Sequence, residues 1–96
     1  MAYMKIDENV LCCPKCNGVN LHQGKTNVFN RYTEDDHYGL HIEVSGTAFN
    51  ASDRIVGSPS ERRNGLSIEF MCENCGGVGK LAIYQHKGST YMEWKL

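Results

Sequence analysis

Cys13-Pro14-Lys15-Cys16 and Cys72-Glu73-Asn74-Cys75 are the two stretches that decide how this chain folds. Each is a C-x-x-C pair, short enough for one turn to aim two sulfurs at one point. Asn17-Gly18 follows the first pair and Gly76-Gly77 the second. Glycine enters the positive-φ region freely, and asparagine does so more readily than most residues. Pro14 presets φ at the start of the first turn. Four thiolates presented by two such turns are the donor set of a closed, tetrahedral zinc site. Cys13, Cys16, Cys72 and Cys75 are therefore the expected metal ligands. Backbone N–H groups inside the turns can point at the sulfurs and spread their charge. A closed shell leaves no open position for a substrate, so the feature speaks for architecture before activity.

Cys12 is the fifth and odd cysteine. Pairing it with Cys16 gives C-x-x-x-C and misplaces the proline in the turn. Cys12 is therefore read as a small residue at the end of a strand, pointing away from the ion. The other reading is a spare thiol that oxidises or exchanges with a ligand. A disulfide framework needs an oxidising compartment. The opening residues, Met1 to Asn9, contain no apolar run and no cleavage site. That start does not read as a signal peptide, and the expected location is the cytoplasm. No stretch is apolar enough over a long enough span to cross a membrane. A redox-active C-x-x-C is expected as a single pair near a βαβ pattern, which is missing here.

The two knuckles resemble those of zinc ribbons and of the rubredoxin-like group. The match is Cys13-Pro14-x-Cys16 with Cys72-x-x-Cys75-Gly76, two short turns and their adjoining strands. Residues 17 to 71 make a longer connection than a minimal ribbon has, so an elaborated sheet is implied. The chain is also similar to small zinc-ribbon proteins of bacteria and their phages. That similarity runs through Leu81-Ala82-Ile83-Tyr84-Gln85-His86-Lys87-Gly88 and Glu93-Trp94. It implies no particular activity. The rubredoxin likeness implies iron as the alternative to zinc, because a tetrahedral sulfur cage suits both.

Between and beyond the knuckles the sequence reads as strands. Val10-Leu11 leads into the first knuckle. Residues 20 to 33 form a longer strand of undetermined facing, and Glu34-Asp35-Asp36-His37 a polar turn. Leu40 to Ser45 alternates, which places Leu40, Ile42 and Val44 inward and His41 outward. Residues 46 to 65 read as the least regular stretch, with turn formers dominating its second half. Leu66, Ile68 and Phe70 alternate inward and deliver the chain to Cys72. Lys80 to His86 and Thr90 to Lys95 form a hairpin about Lys87-Gly88-Ser89. No segment keeps a helical period. The expected fold is mainly β, one antiparallel sheet of about five or six strands, with residues 1–96 forming one zinc-ribbon-like domain.

Other side chains offer little chemistry. His22, His37, His41 and His86 have no metal-motif spacing, and His41 and His86 fall on outward positions. Ser58, Ser60, Ser67 and Ser89 lack a nucleophile elbow and read as turn and surface serines. Gly76-Gly77-Val78-Gly79 opens no helix, so it is no phosphate cradle. No enzyme site is expected. The candidate partner surface combines Arg54, Arg62 and Arg63 with Tyr84 and Tyr91. Cationic grooves with aromatic platforms bind single-stranded nucleic acid. Ten basic against eleven acidic residues leave a net charge of −1, which gives no long-range attraction to a polyanion. A protein partner is thus the first expectation and nucleic acid the second. A partner strand on the free sheet edge is a further option. The sequence does not set the oligomeric state.

Overall fold

Period-2 runs joined by tight turns fold into antiparallel neighbours, and the computed structural model, which describes residues 6–96, shows that arrangement. Six strands make one sheet: β3 (Leu21–Arg31), β4 (Tyr38–Ser45), β5 (Ala48–Arg54), β6 (Gly65–Cys72), β7 (Val78–His86) and β8 (Ser89–Lys95). Their order is β5-β4-β3-β6-β7-β8, and every pairing is antiparallel. A separate ribbon of β1 (Ile6–Asp7) and β2 (Val10–Leu11) precedes it, so the expected single sheet gains a two-stranded companion. Two-residue loops close both outer hairpins of the sequence. Glu8 and Asn9 join β1 to β2, and Lys87 and Gly88 join β7 to β8, all four at positive φ. Positive φ at both central positions matches the twist of the flanking strands.

The central pair positions the knuckles. β3 begins just after the first knuckle and β6 ends in the second. Antiparallel pairing sets Leu21 opposite Cys72, so both knuckles lie at the same end of the sheet. A register shift between Gln23 and Thr26 accommodates an irregularity in β3.

The register defines two faces. One carries the rows Val44–Thr26–Ile68–Leu81–Trp94 and Ile42–Val28–Leu66–Ile83–Met92, and is called the aliphatic face below. The other carries Glu43–Asn27–Ser67–Ala82–Glu93 and His41–Phe29–Gly65–Tyr84–Tyr91. The segment from Ile55 to Asn64 covers this second face. Ile55 and Ser60 are buried in it, and a Cβ on Gly65 would stand 2.9 Å from the Pro59 ring. Arg31 holds the segment down by donating to the carbonyls of Ser60 (2.7 Å), Arg63 (2.9 Å) and Asp36. Ser60 Oγ donates to the Gln85 carbonyl at 2.9 Å and accepts from the Arg63 N–H at 2.9 Å.

Several facings differ from expectation, for one physical reason. Alternation shows which residues share a face, but not which face the rest of the chain covers. Leu40 and Val44 are 44% and 40% exposed, not inward. His41, expected outward, stacks on buried Phe29 with centroids 4.4 Å apart and meets Asn27 Oδ1 at 2.8 Å. Ser60 and Ser67 are buried, not surface serines. The stretch read as irregular contains β5, whose residues are exposed along its whole length. Its small and polar residues give no alternation of apolar side chains to read.

Candidate metal centre

The two knuckles repeat one hydrogen-bond pattern. Asn17 N–H donates to the Cys13 carbonyl at 2.9 Å, and Cys13 N–H to the Gly18 carbonyl at 2.7 Å. In the second knuckle Gly76 N–H donates to the Cys72 carbonyl, and Cys72 N–H to the Gly77 carbonyl, each at 2.9 Å. Asn17 and Gly76 occupy equivalent places at φ 62° and 70°, in the left-handed region that their residue types permit. The N–H groups of Gly18 and Gly77 point at the sulfurs of Cys16 and Cys75, each at 3.4 Å. Lys15 N–H does the same for Cys13 at 3.4 Å.

The knuckles also interlock. The third residue of each covers the glycine that follows the other. A Cβ at Gly18 would come within 2.2 Å of Asn74 Nδ2, and one at Gly77 within 2.9 Å of the Lys15 side chain.

The sulfurs of Cys13, Cys16, Cys72 and Cys75 all lie within 4.8 Å of one another and form a cluster able to hold a metal ion. Across the knuckles, Cys13 and Cys75 are 3.7 Å apart and Cys16 and Cys72 3.6 Å. A tetrahedral ion with metal–sulfur bonds of about 2.3 Å sets its sulfurs about 3.8 Å apart. The donor set therefore fits such an ion. Cys13 and Cys72 are buried while Cys16 and Cys75 are exposed, so the cluster is anchored on one side and reaches solvent on the other.

Electrostatics point the same way. Burial pushes the Cys13 thiol up, but N–H groups of Lys15 and Cys16 and the neighbouring thiols outweigh it and lower it to about 7. For Cys16, the Gly18 N–H favours the thiolate, yet the sulfurs of Cys72, Cys75 and Cys13 together with burial raise it to about 12. One sulfur ionises readily and a crowded neighbour resists. Four thiolates can share this space only around a cation.

Cys12 is buried beside the cluster but outside it, its sulfur directed to the Val10 carbonyl at 3.6 Å. Behind Cys13, Trp94 is only 4% exposed and lines a small cavity with Pro14, Leu21 and Phe70. It meets Phe70 edge to face at 5.9 Å. The indole thus wedges the last strand against the first knuckle, and its Nε1 is buried without a partner. Nothing local in the sequence links residue 94 to Pro14, so this juxtaposition was not legible there.

The other candidate residues form separate groups. Arg62 is bound by Asp35 through Nε and, at 3.1 Å, through a terminal nitrogen. Arg63 reaches Asp35 at 3.3 Å and Glu34 at 3.5 Å. The Arg62 guanidinium, with Arg63 behind it, holds the Asp35 carboxyl below its ordinary value. The acidic turn and the arginines, read as independent features, thus neutralise each other. Arg54 lies exposed at the end of β5 opposite Tyr38 and has no ion pair among the described residues. Tyr84 and Tyr91 stack with centroids 5.6 Å apart, and Tyr84 donates to Glu93 at 2.9 Å. No hydrogen bond or aromatic contact joins these tyrosines to the arginines among the described residues.

Compared with protein-family models, curated proteins and solved structures, the chain gives no match in any of the three.

Proposed function

We propose that this is a small zinc-binding protein of zinc-ribbon type, whose four-cysteine site is structural, and that it serves as a protein-interaction module without catalytic activity. The observation that carries the reading is the interlocked pair of knuckles closing four sulfurs around one point. Zinc takes closed four-sulfur shells of this kind when its role is structural. Cys13, Cys16, Cys72 and Cys75 would hold the ion, and the ion would supply a cross-link between the start of β3 and the end of β6. Iron in the same cage, as in a rubredoxin-like electron carrier, is the competing assignment.

A protein partner is favoured over nucleic acid by the state of the arginines. Arg62 and Arg63 are engaged by Asp35 and Glu34, so these two are not free to release counterions from a phosphate backbone. Among the described residues no helix is long and apolar enough to cross a membrane, and the cytoplasm stays the proposed location.

Metal analysis of the purified chain tests the reading. One zinc per chain and a colourless protein are expected. Red protein with stoichiometric iron would replace the zinc assignment. Cys16→Ser and Cys75→Ser are expected to lose the metal and most of the fold, and Cys12→Ser to keep both.

A further inference from the structure

Three rings meet at one corner of the sheet, on the face opposite the aliphatic one. Tyr84 and His86 alternate along β7, and Tyr91 stands directly opposite Tyr84 on β8. Tyr84 and Tyr91 stack nearly parallel, at 14° with centroids 5.6 Å apart, and His86 meets Tyr91 edge-on at 72° and 5.9 Å. The Tyr84 hydroxyl donates to Glu93 at 2.9 Å, which restrains its ring. The covering segment reaches the same corner. Buried Ser60 fastens it to β7 through the Gln85 carbonyl, and so holds Pro59 and Glu61 beside the rings. Pro59, Ser60, Glu61, Tyr84, His86 and Tyr91 line an open cavity of about 260 Å3. Tyr91 stays 46% exposed.

The charge around this cavity is one-sided. Aromatic ring faces are negative and attract cations. Glu61 adds an exposed carboxylate that has no ion pair among the described residues. Glu34, Asp35 and Glu93, by contrast, are each answered by a neighbouring arginine or lysine. No lysine or arginine lines the cavity. A phosphate-bearing ligand would meet repulsion there, and a cation attraction. We propose that the cavity binds an arginine side chain of a protein partner, its guanidinium stacked on a tyrosine face and paired with Glu61. A guanidinium is flat, stacks on aromatic rings and forks onto a carboxylate, which a compact lysine ammonium does less well. The inference rests on the interaction-module reading and gives that module a basic partner.

Solution NMR of the full-length, metal-loaded chain tests it with the capped peptide Gly-Arg-Gly, titrated to roughly 50 mM, a range that brackets millimolar binding. Saturable shifts of the Tyr84, His86 and Tyr91 ring signals are expected. Capped Gly-Lys-Gly should bind about threefold more weakly, since it cannot stack and fork in the same way. The citrulline counterpart, flat but uncharged, should show no saturation. Glu61→Gln and Tyr91→Leu should each weaken arginine binding about threefold, the scale of one surface ion pair or one exposed cation–π contact. Tyr91→Phe, which keeps the ring, and Asp53→Asn, which removes an exposed acid on β5 instead, should bind like the wild type. Glu61 is exposed, so Glu61→Gln leaves the fold in place and decides alone should Tyr91→Leu lose it. No saturation by the arginine peptide overturns the inference. Equal binding of the citrulline peptide does so too, as does wild-type affinity in Glu61→Gln. A single-stranded oligothymidylate that saturates the same ring signals overturns it together with the protein-partner reading. Zinc is measured on the same samples, so a chain that holds zinc but ignores the peptide loses this site and keeps the metal assignment.

Discussion

Leu21 stands directly opposite Cys72 in the register of β3 and β6. That one pairing brings together two knuckles far apart in sequence. Loop closure over the intervening chain is entropically unfavourable. The sheet meets that cost with β-ladder hydrogen bonds and side-chain burial, and a bound ion would lock the closed arrangement.

The two knuckles should respond differently at their equivalent turn positions. Gly76 has φ 70° with open space around its Cα, so Gly76→Ala brings backbone strain and no clash. A loss of about 1–2 kcal/mol is expected, the cost of a left-handed conformation for a residue with a Cβ. Asn17→Gly should be close to neutral. Urea unfolding of the metal-loaded proteins measures both, and equal effects at the two positions would contradict the equivalence.

Trp94 should be the hydrophobic keystone of the knuckle end. It is buried against Phe70 and beside Pro14 and Leu21. Trp94→Ala should cost about 3–5 kcal/mol, the range for removing a large buried aromatic. Truncation at Gly88 should unfold the chain even in excess zinc. A truncated chain that melts like the full one would show the β7–β8 hairpin to be peripheral.

Arg31 should act through the covering segment and not through the metal. It holds the carbonyls of Ser60, Arg63 and Asp36. Arg31→Ala leaves those groups unpaired, and a loss of about 2–3 kcal/mol is expected. Zinc content should be unchanged. Amide exchange should rise at Ser60, Arg62 and Arg63 more than at the knuckles, and a uniform rise would contradict this division of labour.

Nucleic acid should not bind strongly. With Arg62 and Arg63 held by Asp35 and Glu34, no saturable binding to single-stranded DNA or RNA is expected at about 50 mM salt, where the electrostatic term is strong. Clear saturation there, abolished by Arg62→Glu with Arg63→Glu, would reverse the preference for a protein partner.

The parts of the fold legible in the sequence were those encoded locally. The spacing of the cysteines, Asn17 and Gly76 carries the knuckle geometry, and the alternation from Leu66 to Phe70 and from Lys80 to His86 carries those strands. What was not legible depends on distant partners. β5 has no apolar alternation because both of its faces are open. The covered face could not be read from Leu40 or Val44, because the cover is the Ile55–Asn64 segment, tied down by Arg31 and Ser60. Likewise the pairing of Arg62 with Asp35 joins residues separated by two strands and their loops. Composition reveals both charges but not their contact.

Native mass spectrometry of the intact chain, with thiol counting on the same sample, tests the central claim most directly. The account predicts one zinc per folded chain, with Cys13, Cys16, Cys72 and Cys75 protected from alkylation until a chelator removes the metal and the fold together. A folded, metal-free chain with its cysteines reduced and Cys16 and Cys75, the two exposed sulfurs, open to alkylation would contradict it.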